Sequence, residues 1–385
     1  MARCRFGDVV KEIKNNIDRE NNPYDYYIAG GHMDSEELHI HRRGSFKTDD
    51  VGPAFIREFK KGQVLYGSRR TYLKKVAVAD FDGVTANTTF VLETKDEDVL
   101  LQSILPFVML SDSFTEWSIG KSKGSTNPYV LFSDLADYEF ELPPLEKQRT
   151  LAKLLWEIDS TKCSYKDLID KTDEVVKSQF IEMFGRPGQD DKGWGLNTLG
   201  QCCMLNPRNS SECNDDMQVS FVPMTAVSDD GQIDTLDHKA YGEIRKGYTH
   251  FAENDVLFAK ITPCMENGKG AVAKGLMNGI GAGSTEFHVL RPIPGKSNPY
   301  WLYELTMLDG FRDEAKSRMT GTGGQLRVPI GFLDNYPISL PPIETQNSFE
   351  TIVEQSDKSK FELQYVKRNV KEMIKCSQKK IRLNR

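Results

Sequence analysis

Two stretches of the chain carry apolar residues at steps of three and four over about forty positions. The first runs through Leu151, Leu154, Leu155, Tyr165, Leu168, Val175 and Val176. The second runs through Phe349, Ile352, Val353, Leu363, Val366, Met373 and Ile374. This is the spacing of a coiled-coil seam. Each stretch opens on prolines, Pro143-Pro144 and Pro341-Pro342, placed where the first helical turn tolerates a missing N–H. Gly185-Arg186-Pro187-Gly188 stops the first. The pattern predicts two helices of about 40 residues and ~60 Å, longer than a globular core of half this chain needs, so a spacer or dimerisation rod is favoured over a buried core helix. Elsewhere the pattern shortens. Val64-Leu65-Tyr66, Val76-Ala77-Val78-Ala79 and Thr89-Phe90-Val91-Leu92 in the first half, and Val256-Leu257-Phe258, Gly270-Ala271-Val272-Ala273 and Phe287-His288-Val289-Leu290 in the second, read as strands between turns of Gly, Asn and Asp.

The chain is one unit written twice. Pro143-Pro144-Leu145-Glu146-Lys147-Gln148 returns 198 residues later as Pro341-Pro342-Ile343-Glu344-Thr345-Gln346, and the two seams superpose at that offset. Lys123-Gly124-Ser125-Thr126-Asn127 likewise aligns with Gly321-Thr322-Gly323-Gly324-Gln325. The fold class expected is α+β. Two mixed α/β domains, 1–143 and 186–341, are separated by two long helices, 144–185 and 342–385. The helices pack as an antiparallel coiled coil, and the halves are related by a pseudo-two-fold axis.

Composition narrows the class. Of 385 residues, 38 % are hydrophobic and 28 % charged, which excludes wholesale disorder. No apolar run reaches the ~18 residues of a membrane span, and the N-terminus lacks the apolar region of a secretory signal. Seven cysteines without a CxxC pair argue for reduced thiols in a cytoplasmic setting. The net charge of −6 confines any nucleic-acid surface to a local patch on an acidic body.

The paired LPPLEKQ and LPPIETQ segments resemble the specificity subunit of type I restriction–modification systems. So do Tyr66-Gly67-Ser68-Arg69-Arg70-Thr71-Tyr72-Leu73-Lys74-Lys75-Val76-Ala77 and Leu257-Phe258-Ala259-Lys260-Ile261-Thr262-Pro263-Cys264-Met265-Glu266-Asn267-Gly268-Lys269-Gly270-Ala271. The resemblance covers essentially the whole chain. It implies two target-recognition domains, each reading one half of a split sequence in double-stranded DNA, with helices that fix the gap. It also implies two methyltransferase (modification) subunits as partners and endonuclease/translocase (restriction) subunits joining through the complex. The weak similarity between the two domains implies different half-sites.

DNA readers take affinity from phosphate contacts and sequence from base edges. In the first domain, Arg57, Lys60, Lys61, Arg69, Arg70, Lys74 and Lys75 crowd one stretch whose sole acid is Glu58, and Tyr72 interleaves with them; Arg42 and Arg43 form a second cluster. In the second domain the matching loop holds Lys260, Lys269 and Lys274, with Asn267 suited to an adenine edge. Lys121, Lys123, Gln325 and Arg327 flank the two glycine-rich segments, whose small residues let backbone N–H groups approach phosphate. Against each assignment stands a solvated hairpin or a plain turn. His39 and His41 are expected on one face of a strand, and the basic stretch from Lys375 to Arg385 as a frayed tail.

Catalytic signatures are sparse. Asn22-Pro23-Tyr24 and Asn298-Pro299-Tyr300 lack the second proline of an adenine-methyltransferase motif, and no GxxxxGK[ST] is present. Gly279-Ile280-Gly281-Ala282-Gly283 precedes a strand rather than a phosphate-cradling helix. Neither a cofactor nor a metal site is expected, since the six histidines have no HExxH or CxxC partner. The leading reading is a non-catalytic binding subunit, with an enzyme carrying its own methyltransferase or nuclease activity as the alternative.

Overall fold

A computed structural model describes residues 2–208, 213–233 and 237–379. The chain divides into two units. One comprises the residues up to Lys166 together with those from Tyr365 on; the other is Asp167–Gln364.

In the first unit the strands are β1 (Ala2–Arg5), β2 (Val10–Ile13), β3 (Tyr26–Ile28), β4 (Gly44–Ser45), β5 (Phe55–Phe59), β6 (Val64–Gly67), β7 (Val76–Val78), β8 (Gly83–Ala86), β9 (Thr89–Thr94) and β10 (Glu139–Leu142). They form a sheet of order β2-β9-β6-β7, a sheet of order β4-β3-β8-β5 and the pair β1-β10. In the second unit the strands are β11 (Leu196–Thr198), β12 (Cys203–Leu205), β13 (Gln218–Val222), β14 (Asp237–Ala240), β15 (Thr249–Ala252), β16 (Val256–Ala259), β17 (Gly270–Val272), β18 (Ile280–Gly283), β19 (Phe287–Pro292), β20 (Thr320–Thr322), β21 (Gln325–Arg327) and β22 (Pro337–Ser339). Its sheets repeat the first unit strand for strand: β12-β19-β16-β17, β14-β13-β18-β15 and β11-β22. Even the single parallel pairing recurs, β3 with β8 and β13 with β18. The short hairpin β20-β21 lengthens what in the first unit is a single antiparallel bridge, Lys123 with Tyr129.

The continuous apolar runs of β6 and β16 follow from burial on both faces. Val64 and Tyr66 join one core with Phe107 and Phe114, while Leu65 joins another with Ile28 and Phe59. Val256 and Phe258 pack with Trp301 and Phe311, while Leu257 and Ala259 pack with Phe251 and Val289. A strand whose side chains alternate between two dry layers has no polar position. The glycines of β18 answer a close approach. A Cβ on Gly283 would stand 2.1 Å from Val222 O, and one on Gly281 2.1 Å from the Phe251 ring.

The long helices are Leu145–Phe184 and Ile343–Lys379. Each is locked at its start by the duplicated glutamine. Gln148 accepts from Leu101 N at 3.0 Å and donates to Val99 O (2.8 Å) and Pro143 O (2.9 Å). Gln346 accepts from Asn298 N at 2.8 Å and donates to Lys296 O (3.0 Å) and Pro341 O (2.9 Å). Both amides are buried, and the three bonds use most of what each can make. Within the second unit the helices pack against each other. Phe349 meets the rings of Phe180 and Phe184 at 5.5 and 5.2 Å, and Lys360 reaches Asp173 at 2.9 Å. Earlier residues of one thus meet later residues of the other, which makes the pair antiparallel.

The seam is narrower than the apolar pattern suggests. Leu151, Leu155, Val176, Phe349 and Val353 are buried, but Leu154, Leu168 and Val175 are exposed. These three sit a step off the buried line. The side chains of Met373 and Ile374 lie outside the described residues, as do those of the basic stretch from Lys375, with residues 380–385 wholly outside. His39 and His41 fall in an irregular segment rather than a strand. Both are exposed, and His39, its side chain 45 % exposed, also reaches Asp159 of the first long helix at 3.0 Å. No described helix is long and apolar enough to cross a membrane.

Candidate nucleic-acid interface

In each unit the loop that leaves the central strand is clasped to the glycine-rich segment that precedes the last strand. In the first unit Val130 N donates to Ser68 O at 3.0 Å and Arg70 N to Pro128 O at 2.7 Å, while Lys123 and Tyr129 exchange both backbone bonds. The Thr71 and Ser122 hydroxyls meet at 3.2 Å. In the second, Val328 N donates to Lys260 O at 2.9 Å and Thr262 N to Leu326 O at 3.0 Å. Val130 and Val328, and Pro128 and Leu326, are each 198 apart, so the clasp is duplicated with the chain. Both loops end with their strands paired, β6 with β7 and β16 with β17, so a loop tip projects from a rigid hairpin.

The two clasps present different chemistry. Arg69 and Arg70 are exposed and make no ion pair among the described residues, and Tyr72 is 53 % exposed on the turn Thr71–Leu73. Arg70 and Lys74 both adopt left-handed backbone, φ 51° and 47°, which folds the loop tightly around that turn. At the position of Arg70 the second unit has Thr262. Its hydroxyl donates to Gly324 O at 2.9 Å and accepts from Leu326 N at 3.0 Å, so this side chain is spent on the clasp itself.

The remaining predicted residues divide by what holds them. Arg42 pairs with Asp34, and the Arg43 guanidinium lies 3.9 Å over the Tyr26 ring. Lys75 donates to Gly30 O, and Lys121 covers Trp117 at 4.8 Å. Lys123 pairs with Asp134 at 3.0 Å and holds that carboxyl below its ordinary range. Arg327 grips Glu286 at 2.8 Å, depressing its carboxyl likewise. Asn267 is exposed on a turn and Gln325 is exposed at the start of β21. Three lysines depart from the expectation. Lys74, its side chain 18 % exposed, bridges Glu36 (3.4 Å) and Asp112 (3.0 Å). Lys269 turns inward to donate to Val227 O (2.8 Å) and Met224 O (3.2 Å). Lys274 lies over Tyr300 at 4.3 Å and faces Glu354, on the flank of the long helix rather than at the loop tip.

What sequence reading missed is a basic cleft of about 480 Å³ in the second unit. Arg208, Arg245, His250 and Lys260 line it together with Tyr241 and Phe287, and among the described residues no acid does. His288 braces the strand beside it: its Nε2 donates to Val328 O at 2.9 Å and its Nδ1 accepts from Asn206 at 3.2 Å. Burial pushes the His288 pKa down, so the ring is neutral. The cleft residues come from four separated segments, and no local signal in the sequence unites them.

The family model for the type I restriction modification DNA specificity domain matches residues 5–171 and again 192–372. The chain belongs to this family. It is 42 % identical over 159 residues to the EcoEI specificity subunit of Escherichia coli, a match that covers 41 % of this chain and 26 % of that protein. To the EcoAI specificity subunit of the same species it is 40 % identical over 163 residues, 42 % of this chain and 27 % of the other. The matched stretch thus spans about a quarter of these relatives. In fold the chain is similar to one solved in work on the complex assembly and conformational transition of the type I R-M system, with 21 % identity, TM-score 0.51, 99 % of this chain and 97 % of that one covered.

Proposed function

We propose that this chain is the DNA-reading, non-catalytic subunit of a type I restriction–modification complex, acting in the cytoplasm on a split DNA target. The observation that carries the reading is the duplicated clasp. Two copies of one loop frame, each on a rigid hairpin, carry unlike side chains, which suits two half-sites of different sequence. The first unit offers Arg69, Arg70 and Tyr72 at its tip, and elsewhere on it Arg42, Arg43, Lys75, Lys121 and Lys123. The second offers Lys260, Asn267, Gln325 and Arg327, beside a cleft whose cations suit phosphate. Methyl transfer and cleavage then belong to partner subunits, two methyltransferase copies and the endonuclease/translocase, and the two long helices set the unread gap and offer the docking faces.

The test is reconstitution with the cognate methyltransferase subunit followed by sequencing of methylated DNA. A two-part motif is expected, with methylation absent for the chain alone, and removal of one helical turn from both helices is expected to change the gap. Methyl transfer by the lone chain, or an uninterrupted motif, overturns the reading.

A further inference from the structure

On the flank of the first long helix, within the first unit, three unlike ligand atoms converge. His39 Nε2, Asp159 Oδ2 and Cys163 Sγ all lie within 4.8 Å of one another. Asp159 and Cys163 are one helical turn apart and so share a face, while His39 comes from the segment between β3 and β4. A fourth ligand atom is at hand, the Glu37 oxygen Oε1, 3.7 Å from Cys163 Sγ. We propose that His39, Asp159 and Cys163, completed by Glu37, bind one zinc-class divalent transition-metal ion that staples the 37–39 segment to the long helix.

The spacing of the atoms suits an ion. Asp159 is 1 % exposed, and its Oδ2 stands 3.0 Å from His39 Nε2. Cys163 Sγ lies within 4.8 Å of both, so the three atoms face a common point. In a tetrahedron with ~2.0–2.1 Å bonds to nitrogen and oxygen, neighbouring ligands are about 3.3 Å apart. Imidazole, thiolate and carboxylate together suit zinc rather than calcium or magnesium. The outer shell is also present. Lys162 binds the other oxygen of Asp159, Oδ1, at 2.8 Å and reaches Glu37 Oε2 at 3.5 Å, which orients both carboxylates. On binding, Cys163 gives its proton to solvent, and the charges of ion, thiolate, two carboxylates and Lys162 ammonium then cancel. No motif announces the site in the sequence, because its two halves lie over a hundred residues apart.

The experiment uses the full chain, stripped with a chelator and titrated with Co²⁺ and Zn²⁺. One equivalent is expected to bind, with a thiolate-to-cobalt charge-transfer band and the visible bands of a tetrahedral site. That band should vanish in Cys163→Ser and in His39→Ala, a half-exposed position whose change spares the core, and persist in Cys264→Ser. Zn²⁺ should raise the melting temperature of the wild type but not of His39→Ala. Absence of stoichiometric binding overturns the proposal, as does a thiolate band that survives in Cys163→Ser. Neither outcome depends on DNA binding, so the DNA-reading assignment stands or falls separately.

Discussion

The repeat places the same pair of residues on each long helix and gives it two different surroundings. Asp159 and Lys162 recur 198 residues later as Asp357 and Lys360, and both pairs close at 2.8 Å. Both lysines are buried, 5 % and 8 % exposed. In the first unit the segment between β3 and β4 folds down on the pair and seals it with Glu37 and His39. In the second, the pair borders a cavity of about 320 Å³ that Asp173, Asp230, Tyr300 and Glu304 also line. Duplication thus preserved the helical anchor and let the covering segment diverge. Conserved backbone frames with divergent cover are what a protein needs if its two halves must read different things on one scaffold.

The largest difference between the corners is expected from removing each lysine. Lys162→Met removes the ammonium between the buried carboxylates of Asp159 and Glu37, 1 % and 7 % exposed, and leaves two like charges with His39 as their nearby cation, a loss of about 3–5 kcal/mol. Lys360→Met leaves Asp357 and Asp173 with side chains 33 % and 40 % exposed. Water relieves them, and a loss of about 1–2 kcal/mol is expected. Denaturant unfolding of the two variants measures the contrast; equal losses would mean the first corner is as open as the second.

The anchoring glutamines should show no such contrast. Gln148→Ala and Gln346→Ala each strip three hydrogen bonds from a buried amide and strand their backbone partners. The expected cost is roughly 3 kcal/mol in either unit. Hydrogen exchange at Leu101 and Asn298, whose amides these glutamines hold, reports each one separately. A large asymmetry would show that the two helices are not docked alike.

The third contrast is a carboxyl. Counting from Leu101 and Asn298, the two residues held by the glutamines, Phe107 of the first unit, which packs on Trp156 at 5.2 Å, corresponds to Glu304 of the second. Glu304 is 8 % exposed, and burial, only partly offset by Lys360, raises its pKa to about 7. Between the ordinary carboxyl value and about 7 the folded unit holds a proton that the unfolded chain has lost. Stability therefore falls as pH rises through that window and stays lower above it. Glu304→Gln should remove the slope and be more stable by roughly 2–3 kcal/mol at pH 8. The readout is hydrogen exchange across Pro299–Met307 as a function of pH. A slope of unchanged size in the variant would assign it to another group.

Much of this architecture is legible in the residues themselves. The long helices show because their apolar period runs unbroken, and the duplication shows because Gln148 and Gln346 answer the same backbone demand. The hairpins show because β6 and β16 are apolar on both faces. Charge is a different matter. A lysine's sequence neighbours do not reveal whether a carbonyl such as Val227 O or an acid such as Asp112 will claim it. Lys74, Lys269 and Lys274 therefore look as free as Arg69 and Arg70 until the chain is folded. The same blindness hid the basic cleft and the convergence of His39 with Cys163, since both join distant segments.

The smallest expected effects separate the two loop tips. If Arg70 meets a phosphate, Arg70→Ala weakens binding to every DNA sequence by about 1 kcal/mol and lowers the slope of log affinity against log salt by about 1. Lys260→Ala should do the same through the second unit, because its ammonium lines the basic cleft. Lys269→Ala is the internal control. Its ammonium is tied to Met224 O and Val227 O, so its loss should leave the salt slope unchanged while loosening that turn. Titrating a labelled duplex at several salt concentrations distinguishes the three. A slope change for Lys269→Ala equal to that for Arg70→Ala would mean the lysine swings out to the DNA, and the inward geometry of the second tip would not describe its bound form.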